Sequence, residues 1–179
     1  MKSLTYTFAV VLAVVTAVVP STLSAQTPTP SLAKELAASF QRASKEILDI
    51  AEVMPADKYS FKPTPEMASF GDQLVHVAGI TQRFIDAAKG TKTEPHQHGT
   101  MSKAEIIAMV KTTFQAAQDM ISGLTDAQLA EPVKFPFGDR TVTRATFWQG
   151  PLFQIRNHHG QLVVYLRLNG IVPPTTAQR

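Results

Sequence analysis

The sequence contains no cysteine. Disulfides, thiolate zinc ligands, a cysteine nucleophile and a lipidated N-terminal cysteine are therefore all excluded. Charged residues make up only 17% of the 179 positions, and the formal net charge is +3. The basic residues are scattered, without the stripe of Lys, Arg and interleaved aromatic residues that is typical of a nucleic-acid surface. We expect no nucleic-acid partner.

Several common site signatures are also missing. There is no Gly-rich phosphate loop, no Gly-x-Ser-x-Gly elbow and no His-Glu-x-x-His pair. Hydrophobic residues make up 44% of the chain, which is enough for a packed core, and the length favours a single domain. Histidine, with five copies, is the most informative residue type for a site.

The first 25 residues have the pattern of a secretory signal peptide. Lys2 is followed by an apolar run over 8–19, and Leu23-Ser24-Ala25 forms a small-residue cleavage site. The run is too short for a membrane span, although an uncleaved anchor is the alternative. We predict an exported protein, periplasmic or secreted, that begins at Gln26 and is not membrane-bound after cleavage. Loss of Lys2 lowers the net charge from +3 to +2, too little to attract a partner electrostatically.

Four amphipathic helices are predicted after a short polar lead over 26–30. Capping residues and apolar stripes with steps of three and four place them over 31–54, 69–90, 102–123 and 143–168. A further short turn is expected over 125–128 and a small two-stranded excursion over 133–142. Gly150-Pro151 interrupts the last helix, so we expect a kink or a false start there.

This pattern predicts an all-α fold, a four-helix bundle over residues 31–174 with a C-terminal tail over 175–179. Phe147 and Trp148 are interpreted as packing residues. The predicted core comprises eight further residues: Leu36, Ile47, Leu74, Phe84, Val110, Phe114, Leu162 and Leu166.

Three residues are candidates for a metal site in the bundle. His76 shares a helix face with Ile80 and would approach from across the core. Gln154 and His158 lie one turn apart on the last helix, so they can present an amide oxygen and an imidazole to one ion. The alternatives are a core-edge His76 bonded to a nearby acceptor, and a Gln154–His158 pair that satisfies itself or a water.

A second pair of histidines, His96 and His98, lies in a polar segment. The two side chains would point to the same side of an extended loop, where weak adventitious metal binding is one interpretation. A solvated loop without a site is the other.

Two stretches of the chain resemble the DinB-like family, named for damage-inducible proteins. The first runs from Met54-Pro55-Ala56-Asp57-Lys58-Tyr59-Ser60-Phe61-Lys62-Pro63 through Phe70-Gly71 to His76. The second runs from Asn157-His158-His159-Gly160-Gln161 to Gly170-Ile171-Val172-Pro173-Pro174. The resemblance covers about residues 32–174 and implies a four-helix bundle with a long crossover connection, often a homodimer.

The resemblance also implies a divalent-metal site, for Zn, Ni or Fe, made by three histidines. One lies on the second helix and two lie one turn apart on the last. His76 and His158 match two of these positions, whereas Gln154 stands where the family pattern has histidine. An amide in place of an imidazole weakens the binding of a transition metal.

The family includes metal-dependent thiol transferases and isomerases of small acids. The resemblance therefore implies metal-dependent chemistry of hydrolase or transferase type on a small-molecule substrate. The export signal argues against a thiol transferase, because low-molecular-weight thiols are chiefly cytoplasmic. The alternative is a non-catalytic ligand-binding or interaction bundle with a degenerate metal site.

Overall fold

A computed structural model describes residues 31–93 and 101–177. The helices and strands, in chain order, are α1 (Leu32–Val53), α2 (Phe70–Lys89), α3 (Lys103–Ser122), α4 (Asp126–Ala130), β1 (Pro132–Lys134), β2 (Thr141–Thr143), α5 (Arg144–Leu168) and α6 (Pro174–Ala177). The predicted signal peptide, the polar lead, His96 and His98 lie outside the described residues.

The four long helices form an all-α bundle, as predicted. Helices α1 and α2 each pack against both α3 and α5, so they occupy opposite corners of the bundle. The connection over 54–69 therefore crosses one end of the bundle, and it contains a single 3₁₀ turn, Ala56–Lys58. Among the described helices, none is long and apolar enough to cross a membrane.

Local capping explains where the helices begin and end. Ser69 and Asp72 form a capping box at the start of α2, and Ser102 and Glu105 form another at the start of α3. At the end of α5, the amide of Ile171 donates to the carbonyl of Leu166 at 3.0 Å, the long-range bond of a Schellman ending. These residues are the ones from which the boundaries were predicted.

Both ends of α1 are held by other elements. Asp126 of α4 accepts hydrogen bonds from the Ala33 amide at 2.8 Å and the Ser31 hydroxyl at 2.7 Å, and these bonds lower the pKa of its carboxyl. At the other end, the Lys103 ammonium donates to the Met54 carbonyl at 2.9 Å. Helix ends leave backbone groups without intrahelical partners, so these contacts satisfy them and join α1 to the bundle.

The predicted core is confirmed. All eight predicted core residues are buried, as are Phe147 and Trp148. The largest fully buried side chain is Trp148, which packs edge-on against Phe147 with ring centroids 5.3 Å apart. The core thus continues from the helix stripes into the first turns of α5.

Of the two alternatives predicted at Gly150-Pro151, a kink or a false start, the false start is wrong. Helix α5 runs without interruption from Arg144 to Leu168, with Pro151 inside it. Buried Phe147 and Ile155 fix the helix to the core on either side of the proline. This packing outweighs the loss of one hydrogen bond and the ring clash, which together cost about 3 kcal/mol in a helix interior.

The two-stranded excursion is confirmed as an antiparallel hairpin. Val133 of β1 pairs with Val142 of β2, and the Phe135 amide donates to the Arg140 carbonyl at 3.0 Å beyond the strands. The hairpin leads directly into α5 and places its loop beside that helix. The predicted tail differs, because α6 already forms a helical turn over Pro174–Ala177.

Gly150 is required by a close approach of two helices. A Cβ atom at this position would lie 2.3 Å from Cζ of Phe84 on α2, whereas a Cβ at Gly160 of the same helix would meet nothing within 4 Å. We therefore expect Gly150→Ala to destabilise the fold by about 1–3 kcal/mol through overpacking. The matched control, Gly160→Ala, should stabilise it by about 0.5–1 kcal/mol through helix propensity.

Urea unfolding of the two variants beside the wild type measures both effects. Equal stabilisation by the two substitutions would show that Phe84 does not rest against the backbone of α5.

Candidate functional site

The structure brings His76 of α2 and His158 of α5 together. Their ring centroids are 5.1 Å apart and the rings are inclined by 50°. The two side chains differ in burial, since His158 is only 7% exposed whereas His76 is exposed at the surface of the bundle. The face that His76 shares with Ile80 had suggested an inward position in the core. The structure instead places His76 at the edge of the site.

A hydrogen-bonded chain of buried side chains fixes His158. The Tyr165 hydroxyl donates to the Ala68 carbonyl at 2.7 Å and accepts from Nε2 of Gln73 at 3.4 Å. Gln73 therefore presents its Oε1 to Nδ1 of His158, at 2.7 Å. An amide oxygen only accepts, so Nδ1 carries the proton and Nε2 keeps its lone pair.

Burial keeps the imidazole of His158 uncharged. Desolvation, with a smaller contribution from repulsion by His76, lowers the pKa of His158 from 6.5 to about 4. A neutral histidine with its Nδ1–H on a carbonyl oxygen is the form in which histidine binds metal ions through Nε2.

A pocket of about 560 Å³ opens beside the two histidines. Its walls come from the end of the connection over 54–69, from the first half of α2 and from α5, and the lining residues are Ala68, Asp72, Gln73, His76, His158 and Gln161. The size suits a small organic molecule. Asp72 contributes a carboxylate to the wall, although its Oδ2 is already bonded to the Ser69 hydroxyl at 2.7 Å.

Gln154 lies in a different pocket. It lines a second cavity together with Phe84, Phe137 and Arg140, although it precedes His158 by one helical turn. The alternative in which Gln154 and His158 satisfy each other is wrong for Nδ1, which is bonded to Gln73. Within residues 31–93 and 101–177, no group of three or more His, Asp or Glu residues could hold a metal ion.

Gln73 is the site residue that the sequence analysis missed. It precedes His76 by three positions, so the two side chains share a face of α2. A glutamine on the apolar side of a helix is a usable signal, because a buried amide needs partners. Its partners are 85 and 92 residues further along the chain, so the sequence does not reveal them.

The protein is an all-α four-helix bundle in which a histidine of the second long helix lies beside a histidine of the last one. The model of the DinB superfamily matches residues 39–161, so the chain belongs to that superfamily and the resemblance is confirmed. The protein YjoA of Bacillus subtilis, described as uncharacterized, is 25% identical over 125 residues, which cover 68% of this chain and 80% of that protein.

Solved structures agree on the fold. The crystal structure of YjoA, a DinB-like protein, superposes with a TM-score of 0.61 and 22% identity, covering 76% of this chain and 92% of that one. A DinB-like protein of Bacillus cereus gives a TM-score of 0.64 and 20% identity, covering 79% and 95% of the two chains. At identities this low, the superpositions establish the fold alone, and the function has to be argued from the site.

The low pKa of His158 makes stability depend on pH. The folded pKa is about 4, and the value in the unfolded chain is about 6.5. Between these values the unfolded state binds more protons than the folded state. The contribution of His158 to the free energy of unfolding therefore falls as pH decreases from about 6.5 towards 4, and it is constant above that range. Between pH 7.5 and 5 the loss due to His158 should reach about 2 kcal/mol.

Urea unfolding of wild type and His158→Gln at pH 7.5 and pH 5 tests this dependence. The variant has no imidazole at this position, so its loss between the two pH values should be smaller by that amount. Identical losses in the two proteins would contradict a buried, neutral His158.

Proposed function

We propose that this protein binds a divalent metal ion through His76 and His158 and acts on a small molecule in the adjoining pocket. The observation that carries the proposal is the pairing of the two imidazoles, 5.1 Å apart, with Nδ1 of His158 held by Gln73. Zinc, nickel and iron all accept neutral imidazole ligands.

The residues present fit such an ion in part. His158 is held in the ligating tautomer by an outer partner, which is the usual arrangement around a metal-binding histidine. His76 adds a second imidazole from the opposite helix. Two protein ligands leave more open positions than three, and when bound the ion would supply Lewis-acid polarisation of a small-molecule oxygen or thiol.

The chain's own residues define what the pocket can do. Gln73 and Tyr165 keep His158 in place, and Asp72 adds a negative charge to the wall. The wall thus offers several oriented polar groups to a substrate. Such a pocket favours a small polar molecule as the substrate of a hydrolase-type or transferase-type reaction.

A second candidate function is non-catalytic ligand binding by a degenerate site. It is favoured by Gln154, which stands at a family histidine position and lines the other pocket. An interaction bundle belongs to the same alternative, whereas the homodimer that the family resemblance implies is compatible with both candidates. Metal affinity separates the two candidates.

Metal titration tests the proposal. Calorimetry with Zn²⁺ or Ni²⁺ at pH 7.5 should show one site per chain, which His158→Ala abolishes and His76→Ala weakens by at least about tenfold. Gln154→His places an imidazole one helical turn before His158 on the same face of α5, and this third imidazole should tighten binding by at least about tenfold. The matched control is His159→Ala, whose side chain points about 100° away from that of His158.

His96→Ala and His98→Ala should leave the affinity unchanged. Loss of binding in these two variants, with binding retained in His158→Ala, would move the site to their segment. Absence of binding in the wild type, with binding restored by Gln154→His, would favour the degenerate-site alternative.

We further propose that the protein is exported, on the strength of the charged, apolar and small-residue order of its first 25 residues. Mass spectrometry of protein isolated from its native host should find an N-terminus at or near Gln26 in the soluble exported fraction. An intact Met1, or recovery with membranes, would contradict export by cleavage.

A further inference from the structure

A second pocket, of about 360 Å³, lies between the β-hairpin loop and helix α5. Its walls come from Phe135, Phe137 and Arg140 of the loop, from Phe84 of α2, and from α5. This volume falls within the range of small-molecule sites. The pocket is distinct from the histidine pocket, with which it shares no lining residue.

Aromatic rings form one side of the pocket. The buried Phe84 ring packs edge-on against Phe135, with centroids 5.4 Å apart, and lies 5.8 Å from Phe137. Phe135 and Phe137 are half-buried, so part of each ring surface remains open. Phe153 of α5 adds a ring that is 67% exposed. Such walls favour a flat aromatic group, which stacks face-to-edge or offset on them.

Two guanidinium groups lie against these rings. Cζ of Arg140 is 4.0 Å from the Phe135 ring centroid, and Cζ of Arg83 is 5.0 Å from that of Phe137. In the part of the chain that the structure describes, neither arginine has a carboxylate partner. The neighbouring Asp139 is bonded to Lys134 at 2.8 Å. The positive charge beside the pocket is therefore not neutralised.

The arginine charge selects the chemistry of the ligand. A guanidinium that stacks on a ring keeps its N–H groups at the edge of its plane, where they fit a carboxylate in two parallel hydrogen bonds. Gln149 and Gln154 line the same pocket and supply amide donors and acceptors. Aromatic walls, an uncompensated arginine and neutral amides together match an aromatic ring that carries a carboxylate.

We propose that this pocket binds a small aromatic carboxylate, with its ring against Phe137 and Phe153 and its carboxylate on Arg140. The proposal does not depend on metal binding at the histidine pocket. It also gives Gln154 a role in lining this pocket, where its amide is uncharged at every pH and a histidine would titrate.

Paired probes separate the ring from the charge. Calorimetric titration of the full-length chain, in EDTA to remove metal, should show binding of 2-naphthoate at least about tenfold tighter than that of the neutral 2-naphthamide. Arg140→Gln should weaken naphthoate binding by at least about tenfold and change naphthamide binding less than twofold. Phe137→Ala should weaken both probes, because it removes part of the aromatic wall.

Two controls make the result specific. Arg156→Gln removes an exposed arginine of α5 outside the pocket, and His76→Ala alters the histidine pocket; both should leave naphthoate binding unchanged. Equal affinity for the two probes, an Arg140→Gln variant that binds naphthoate as the wild type does, or no binding of naphthoate at millimolar concentration would each overturn the proposal. Loss of naphthoate binding in His76→Ala would also overturn it, since the ligand would then lie in the histidine pocket.

Discussion

The hydrogen-bonded chain from the Ala68 carbonyl through Tyr165 and Gln73 to His158 sets how α2 and α5 meet. All three side chains are buried, and a buried polar group that loses its partner costs about 1–3 kcal/mol. Sliding one helix along the other by a turn would break every link at once. This series of hydrogen bonds therefore selects a single register of α2 against α5, and that register brings His76 of α2 opposite His158.

The same interface is held differently further along α2. Phe84 lies two turns after His76 and rests against the backbone of α5, where only the missing side chain of Gly150 makes room. The ring in turn supports Phe135 and Phe147, so the hairpin and the start of α5 depend on this contact. One helix pair thus carries a polar site at one end and an aromatic pocket at the other.

Features that depend on nearby residues could be predicted from the sequence, whereas features that depend on distant ones could not. Ser69 and Ser102 mark helix starts because their capping partners lie three residues away. Helix faces and the family resemblance together pointed to His76 and His158, which the structure brings together. Gln73 was missed because Tyr165 lies 92 residues away. The false start at Pro151 was predicted wrongly because local rules do not include the packing of α5 on the core.

Gln154 stands where the family resemblance implies a metal-binding histidine, and this difference bears on the function. The family resemblance implies three histidines around an ion, and with an amide at position 154 such an ion would have fewer strong donors and more positions open to a small molecule. An ion held by two imidazoles would depend more on its ligand for the remaining donors than one held by three. The buried, neutral His158 reduces this disadvantage, since a proton does not compete for its Nε2 until the pH approaches about 4. A bundle with few metal ligands could therefore still hold an ion, because one of those ligands would be preorganised before the ion binds.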